Sequence, residues 1–326
     1  MDHLGIDLAK LTFDATVLTS TGSQHYHAFP NTPDGFQALQ AWLKEHGVTA
    51  LHACMEATNI YWEALATFLH AQGDTVSVVN PARIKGYALA TMQRNKTDKL
   101  DSAVIAAFCA THHPTAWQPL SEAHKRLRAR TRHRDDLLQT RLQQQNRLRD
   151  TTDTLVQTSL QIVLDTIATQ LAAVERSITE HVAAHAELHS NLELLTAIVG
   201  IGVVTAAKLL AEFADIEPYE SAKAVAADAG LTPSQYESGT SVRRRPRLSK
   251  VGKAGIRAAL YFPALTAMRR CPAFKAFAER LAARGKAKKV IICAVMRKLV
   301  HIVDGVLKHR TPSDPAKVLG HTAATT

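Results

Sequence analysis

Cysteine is scarce: Cys54, Cys109, Cys271 and Cys293 are the only four in 326 residues, and no two form a CxxC pair. That excludes a disulfide scaffold and argues against a cysteine-based zinc site. Scattered single cysteines read as small core residues of a protein kept in a reducing cytosol. Long apolar runs are missing as well. The uncharged stretch from Leu194 to Ala207 is too short to cross a bilayer as a helix, so no membrane partner is expected. The opening MDHLGIDLAK lacks a cationic start followed by an apolar core, so no secretory leader is expected either, and the expected location is cytoplasmic. Glycine and proline are absent between Leu120 and Ser190, which removes the usual turn signals and leaves room for long helices. With 46% hydrophobic and 21% charged residues, wholesale disorder is excluded.

What is abundant is positive charge, and it is unevenly placed. Gly239 to Arg310 holds 19 Lys and Arg against two acids, Glu279 and Asp304. His124 to Arg149 holds nine against Asp135 and Asp136. The rest of the chain is acidic, with 11 bases and 25 acids. An acidic body with two cationic blocks suits a polyanion ligand, because each neutralised phosphate releases counterions. Solvated charge kept for solubility is the plainer alternative.

The hydrophobic pattern changes along the chain. His3–Asp7, Thr12–Leu18 and 24–29 read as a three-strand meander. Thr32 with Pro33 starts a helix that carries Phe36, Leu39, Trp42 and Leu43 at helical spacing. Leu51–Met55 and Thr75–Val79 are short apolar strands around a helix over 60–71, Asn80-Pro81 ends the second strand, and a helix is expected over 97–111. These elements together imply an α/β layer domain. Further on, Leu160, Leu164, Ile167, Leu171, Val174 and Ile178 repeat in the heptad period, which predicts a helical hairpin or a dimerising stalk with the more cationic helix over 127–148. From Asn191 the chain reads as mostly helical and basic. Gly200 and Gly202, in IVGIG before 203–213, have the form of a helix-hairpin-helix turn. Such a turn could present backbone N–H groups to a phosphate, or could simply let helices pack closely. The tail from Thr311 is expected to fray.

Four acids stand at positions that chemistry could use. Asp7 ends the first strand and Glu56 the fourth, while Asp98 and Asp101 lie three apart on one face near a helix start. Strand ends at one sheet edge and one helix face can converge. Four converging carboxylates would repel unless divalent cations lay between them, and oxygen-only ligation favours Mg²⁺, with Mn²⁺ as a substitute. Two such ions form a clamp for phosphodiester displacement. Taken singly, each acid also has an ordinary role as a helix cap or dipole partner. The opening GIDLAK is similar to the first phosphate loop of actin- and sugar-kinase-like ATPases. However, Leu8 and Ala9 stand where that loop needs a glycine and a small hydroxyl residue, and the later Asp228-Ala229-Gly230 follows a helical run rather than a strand. The ATPase reading is rejected.

GIDLAK, MEATNIYWE, NPARIKGYA, NKTDKLDS, IVGIG, DAGLTPSQYESG and RLSKVGK leading to AALY resemble, in this order, the DEDD-type insertion-sequence transposases. That family includes the Piv-like DNA invertases and the bridge-RNA-guided recombinases. The resemblance covers nearly the whole chain. It implies a RuvC-like, ribonuclease-H-fold catalytic domain over 1–118, a coiled-coil segment or helical hairpin over 119–190, a mostly helical C-terminal transposase domain over 191–310 and a tail over 311–326. It further implies Mg²⁺ on Asp7, Glu56, Asp98 and Asp101, and Ser238, in Tyr236-Glu237-Ser238-Gly239, as the nucleophile that forms a phosphoserine link to DNA. Donor and target DNA, a structured guide RNA and a homo-oligomer (dimer or tetramer) with a shared active site complete the implied partners, in a nucleoid-associated setting.

A serine hydroxyl needs its proton removed or its oxyanion stabilised, which a two-metal carboxylate site can supply. Covalent linkage would also conserve phosphodiester energy for rejoining. Ser234, Ser241 and Ser249 are nearby rivals, and a Ser-Gly pair is most often a plain turn. Arg243, Arg244, Arg245, Arg247, Lys250 and Lys253 follow directly and read as contacts to a nucleic-acid backbone, with Arg257, Lys286, Lys288 and Lys289 extending the track. Tyr236 could stack on a base or pack internally. Two alternatives stand beside recombination: a metal-dependent junction nuclease in which water attacks, and a non-catalytic nucleic-acid-binding protein.

Overall fold

The computed structural model describes residues 1–57, 60–92, 97–214, 219–238, 242–249 and 251–313. The chain divides into two compact units, Met1–Pro119 and Leu120–Thr326.

The first unit is a mixed α/β layer. Strands β1 (Asp2–Leu8), β2 (Thr12–Leu18) and β3 (Gln24–Pro30) form the antiparallel meander. Helix α1 (Pro33–Glu45), β4 (Leu51–Glu56), α2 (Trp62–Ala71), β5 (Thr75–Val79), α3 (Pro81–Ala90) and α4 (Asp98–His112) follow. The sheet order is β3-β2-β1-β4-β5, with β4 parallel to β1 and β5 parallel to β4. Each parallel step needs a crossover, which α1 and α2 provide. Thr32 caps α1 by accepting from the Gly35 N–H at 3.3 Å, with Pro33 in the first turn. The pair Asn80-Pro81 does more than end β5. Asn80 Oδ1 accepts from the Ala82 N–H at 2.9 Å and so starts α3, a helix the sequence pattern had not disclosed. Residues Leu51 to Met55 are all buried, as a strand covered on both faces requires. Leu4, Ile6, Phe13, Leu39, Leu65 and Leu69 form the centre of the main core.

The second unit is mostly helical: α5 (Glu122–Asp150), α6 (Thr154–Ala183), α7 (Ala186–Thr196), α8 (Val203–Glu212), α9 (Ala222–Asp228), α10 (Ala254–Arg270), α11 (Pro272–Ala283) and α12 (Lys288–His309). Helices α5 and α6 pair as an antiparallel hairpin. Arg130 donates to the Ser177 carbonyl at 3.0 Å and Arg134 to Glu175 at 2.6 Å. On α6 the heptad residues Leu164, Ile167, Leu171 and Ile178 are buried, and Leu160 and Val174 are half-buried. Between α9 and α10 runs a two-stranded antiparallel hairpin, β6 (Pro233–Ser238) and β7 (Val242–Leu248). The part from 191 onward is mostly helical, as expected, and the arginine cluster lies on a strand of this hairpin. Thr311 to Ser313 have no regular structure, and 314–326, the bulk of the expected tail, lie outside the described residues. Cys54, Cys109 and Cys271 are buried free thiols and Cys293 is half-buried. Among the described residues no helix is long and apolar enough to cross a membrane.

Candidate active site

The acids of the first unit are positioned by backbone contact. β1 lies between β2 and β4, and its glycine sits directly under α4. A Cβ on Gly5 would stand 2.1 Å from the Ser102 carbonyl oxygen and 2.2 Å from the Ala106 nitrogen. Only a hydrogen fits between strand and helix, so α4 rests on β1. The buried pair Thr16 Oγ1 and Ser102 Oγ, 2.8 Å apart, fixes the helix against β2 as well. Thr97 caps α4 by accepting from the Leu100 N–H at 3.3 Å, which sets Asp98 and Asp101 in the first turn. One carboxylate oxygen each from Asp7, Asp98 and Asp101 then lies within 4.8 Å of the other two. Asp7 and Asp101 are half-buried and Asp98 is exposed.

Glu56 does not join that group. It ends β4, one residue beyond the register pair of Ile6 with Met55, so its backbone lies beside that of Asp7 at the same sheet edge. Residues 58 and 59 lie outside the described residues. Three carboxylates at this spacing repel by on the order of 1–3 kcal/mol per pair in a partly solvated setting. The donor set is oxygen only, which suits a hard divalent cation such as Mg²⁺ or Mn²⁺ and would turn the repulsion into ligation.

A fifth acid escaped notice in the sequence. Asp14 on β2 is the direct register partner of Asp7, and it accepts a 2.5 Å hydrogen bond from the Tyr26 hydroxyl on β3. The Asp14 hydrogen bond, helped by burial and by the charges of Asp14 and Asp98, pushes the Tyr26 pKa up to about 12. The Lys99 ammonium stands 5.3 Å from the centre of the Tyr26 ring. The Tyr26 hydroxyl thus engages Asp14 while the neighbouring acids stay clustered. The signal was available in the meander's register, which pairs 7 with 14 once the turn is counted.

In the second unit Ser238 is the last residue of β6 and pairs with Val242, the first of β7; residues 239–241 lie outside the described residues. Along the hairpin Glu237 pairs with Arg243, Tyr236 with Arg244, and Ser234 with Arg247. Arg245 also lies on β7 and Arg247 is exposed. Ser241 and Lys250 lie outside the described residues. The Ser249 N–H donates to the Thr232 carbonyl at 3.0 Å, which closes the hairpin's open end.

The hairpin's base is built by residues first read as phosphate contacts. Lys253 Nζ lies 3.1 Å from Asp228 Oδ2 and donates to the Glu212 carbonyl at 3.0 Å. Arg257 donates to the Ala229 carbonyl at 3.0 Å. Gly252, at φ +124°, allows this, since a Cβ there would stand 2.0 Å from the Asp228 oxygen. The motif containing Asp228-Ala229-Gly230 and the Val251-Gly252-Lys253 turn therefore lock together. Gly200, at φ +97°, is pressed against α10, where a Cβ would meet the Pro263 carbonyl at 2.6 Å. Gly202 has open space and caps α8. Part of the α5 cation block is likewise spent within the unit, on Ser177, Glu175 and, through Arg128, the Ala211 carbonyl.

A cavity of about 430 Å³ is lined by Tyr26 and Lys99 with Gln24, His25, Trp42 and His46. A larger one, about 930 Å³, opens between the hairpin and α12 and carries Arg247, Lys286, Lys289, Arg297, Lys298 and His301 around an apolar floor of Leu231, Leu248 and Phe277. Burial, with Arg280 and Arg297 alongside, pulls the Lys298 pKa down.

Comparison with known proteins gives these features a context. The pilin gene-inverting proteins of Moraxella lacunata and Moraxella bovis are each 35% identical over 319 residues, 96% of this chain and 97% of theirs. The first 154-residue block, 4–157, matches a DEDD family model described as Transposase, and residues 192–279 match one described as Transposase IS116/IS110/IS902 family. The chain belongs to the IS110 family of transposases. It is accordingly an enzyme acting on DNA. A protein of the insertion element IS110 from Streptomyces coelicolor is 30% identical over 156 residues, 47% of this chain and 38% of its own length. The first family match spans all four sequence-predicted acids, and the second spans the hairpin with Ser238 and the arginines. The heptad half of α6 falls between them.

Proposed function

We propose that this IS110-family chain cuts and rejoins DNA through Ser238, at divalent metal held by Asp7, Glu56, Asp98 and Asp101. The observation that carries the reading is the convergence of Asp7, Asp98 and Asp101 from two separate elements. The sheet order, with its antiparallel meander and two parallel strands, supports a RuvC-like, ribonuclease-H-type layout for residues 1–118. In the same reading 119–190 is the helical connector and 191–310 the DNA-joining domain with its helix-hairpin-helix-like turn.

Bound Mg²⁺ would polarise the scissile phosphate and neutralise the charge that develops on it. The chain's own part is threefold. β1 and the first turn of α4 bring the carboxylates of Asp7, Asp98 and Asp101 together. Ser238 Oγ attacks phosphorus: a P–Oγ bond forms, one P–O bond to deoxyribose breaks, the serine proton passes to solvent, and the leaving sugar oxygen takes up a proton to become a hydroxyl. Attack on that linkage by a deoxyribose hydroxyl reverses the exchange, restoring serine and rejoining a strand with no net loss of phosphodiester bonds. Arg243, Arg244, Arg245 and Arg247 hold the backbone near the nucleophile, and the cationic cavity beside the hairpin extends that surface. A structured RNA guide and an oligomer that joins the two units' chemistry belong to this proposal through the family.

Incubation with DNA carrying element ends, with and without a transcript of the flanking noncoding DNA, tests it. A denaturation-resistant protein–DNA adduct is expected, lost in Ser238→Ala and in Asp7→Asn. Adduct persisting in Ser238→Ala removes that serine. A second reading, a junction nuclease using water, is favoured by the fact that all four acids come from one unit. It predicts free 3′-hydroxyl and 5′-phosphate ends with no covalent species at any time.

A further inference from the structure

We propose a second metal site in the first unit, a three-histidine centre of His3, His52 and His113 that takes a zinc-class divalent ion. It is independent of the serine mechanism. One ring nitrogen from each histidine lies within 4.8 Å of the other two. His3 on β1 and His52 on β4 are parallel register partners, so their rings lie side by side, 6.2 Å between centres. His113 ends α4 in the left-handed conformation, at φ 41°, with its ring 5.8 Å from that of His3. For a residue other than glycine that conformation is uncommon, and here it turns the ring toward the strands.

Two further observations point to a ligand. His3 Nε2 is buried and has no hydrogen-bond partner. A buried polar atom left this way costs about 1–3 kcal/mol unless something fills its lone pair. The second is the tautomer of His52. Its Nε2 lies 2.8 Å from Ser77 Oγ, and that hydroxyl lies 2.8 and 2.9 Å from the Pro114 and Thr115 carbonyls. Carbonyls only accept, so the single hydroxyl proton goes to them and Ser77 must accept from the His52 Nε2–H. Nδ1 is then the nitrogen with a lone pair. This is the arrangement by which metal-binding histidines are usually oriented, one nitrogen donating and the other ligating.

The donor chemistry separates this centre from the acidic one. Neutral imidazoles select Zn²⁺, Ni²⁺, Cu²⁺ or Co²⁺ and reject Mg²⁺, whereas carboxylates do the reverse. Nitrogens around tetrahedral zinc stand roughly 3.4 Å apart at bonds of about 2.0–2.1 Å, so the rings need to close by at most about 1.4 Å. His113 is exposed and can swing. The nearby Asp2 carboxylate is engaged by the Ser20 N–H at 2.6 Å, which leaves water for the open position. His3 lies four residues before Asp7 on β1, about 13 Å away along the strand. The same helix that carries Asp98 and Asp101 in its first turn is tied by His113 at its end, so an ion here would clasp α4 to the sheet far from the chemistry.

The test is a Co²⁺ titration of tag-free full-length protein in millimolar Mg²⁺, which keeps the carboxylates occupied, followed by displacement with Zn²⁺. One equivalent of Co²⁺ with the visible bands of a four-coordinate centre of three nitrogens and one water is expected. His113→Asn, which accepts the left-handed backbone, and His3→Gln should each weaken binding by about a hundredfold or more. Ser77→Ala should weaken it about tenfold, and Asp7→Asn should leave it unchanged. Circular dichroism confirms that each variant is folded. Absence of a saturable band overturns the proposal, as does undiminished binding in both folded histidine variants or loss of binding in Asp7→Asn. Loss of DNA joining in Ser238→Ala bears on the other site alone.

Discussion

The two units solve opposite electrostatic problems. Residues 1–119 carry seven Lys and Arg against ten acids, while residues 120–326 carry 32 against 19. The acidic unit gathers three of its carboxylates at one sheet edge and offers a polyanion nothing until cations intervene. The basic unit can hold a phosphate backbone with no metal at all. On the proposed reading, metal binding falls to the first unit, and the nucleophile and the grip on the backbone fall to the second.

The sharpest way to break that division is Asp7→Asn. Removing one ligand from the acidic cluster should cut strand cleavage by about a thousandfold or more, equivalent to several kcal/mol at the transition state. DNA affinity at equal salt should stay within a factor of about two, as a gel-shift titration would show. Affinity falling in step with cleavage would mean that the acids also hold the substrate.

The next largest effect is on stability. Gly5→Ala forces a methyl into the 2.1 Å gap below Ser102 and should destabilise the first unit by about 3 kcal/mol, at the upper end of overpacking costs. Gly252→Ala, strained both by its φ of +124° and by the Asp228 carbonyl, should do the same to the second. Urea unfolding followed separately in each unit would report which transition moved; a single shared transition would show that the units unfold together.

A smaller and salt-dependent loss is expected from replacing Arg243, Arg244 and Arg245 with alanine. If all three meet phosphates, the slope of log affinity against log salt should become shallower by about 2.7 for duplex DNA. Lys253→Ala serves as the contrast. Its ammonium is committed to Asp228 and Glu212, so stability should fall while the salt slope stays put.

The smallest effect concerns Tyr26. Its pKa is raised to about 12, so the folded state holds the phenol proton more tightly than the unfolded state does. The resulting stabilisation is complete below pH 10 and fades as pH climbs toward 12. An ultraviolet phenolate titration should show one late-ionising tyrosine that is missing in Tyr26→Phe.

The same contrast governs what could be read from the chain alone. In the first unit the strands, the capping by Thr32 and the placing of Asp7, Glu56, Asp98 and Asp101 at element ends were legible, because the periodicity of those elements is plain. Asp14 was missed because its relevance depends on pairing across β1 and β2 rather than on spacing. The three histidines were missed for the same reason, their positions 3, 52 and 113 meeting only through the fold. In the second unit the heptads of α6 announced a helix, yet β6 and β7 were hidden by surrounding helix formers and by consecutive arginines that break polar–apolar alternation. Lys253 and Arg257 were read as nucleic-acid contacts, and their hydrogen bonds to the Glu212 and Ala229 carbonyls are something composition cannot reveal.

Gly5 gives the acid cluster its ruler. Since two main chains touch at that residue, the backbone separation of the first acid from the later pair is set by atoms common to every amino acid. Any change in that backbone separation would therefore have to move a whole helix.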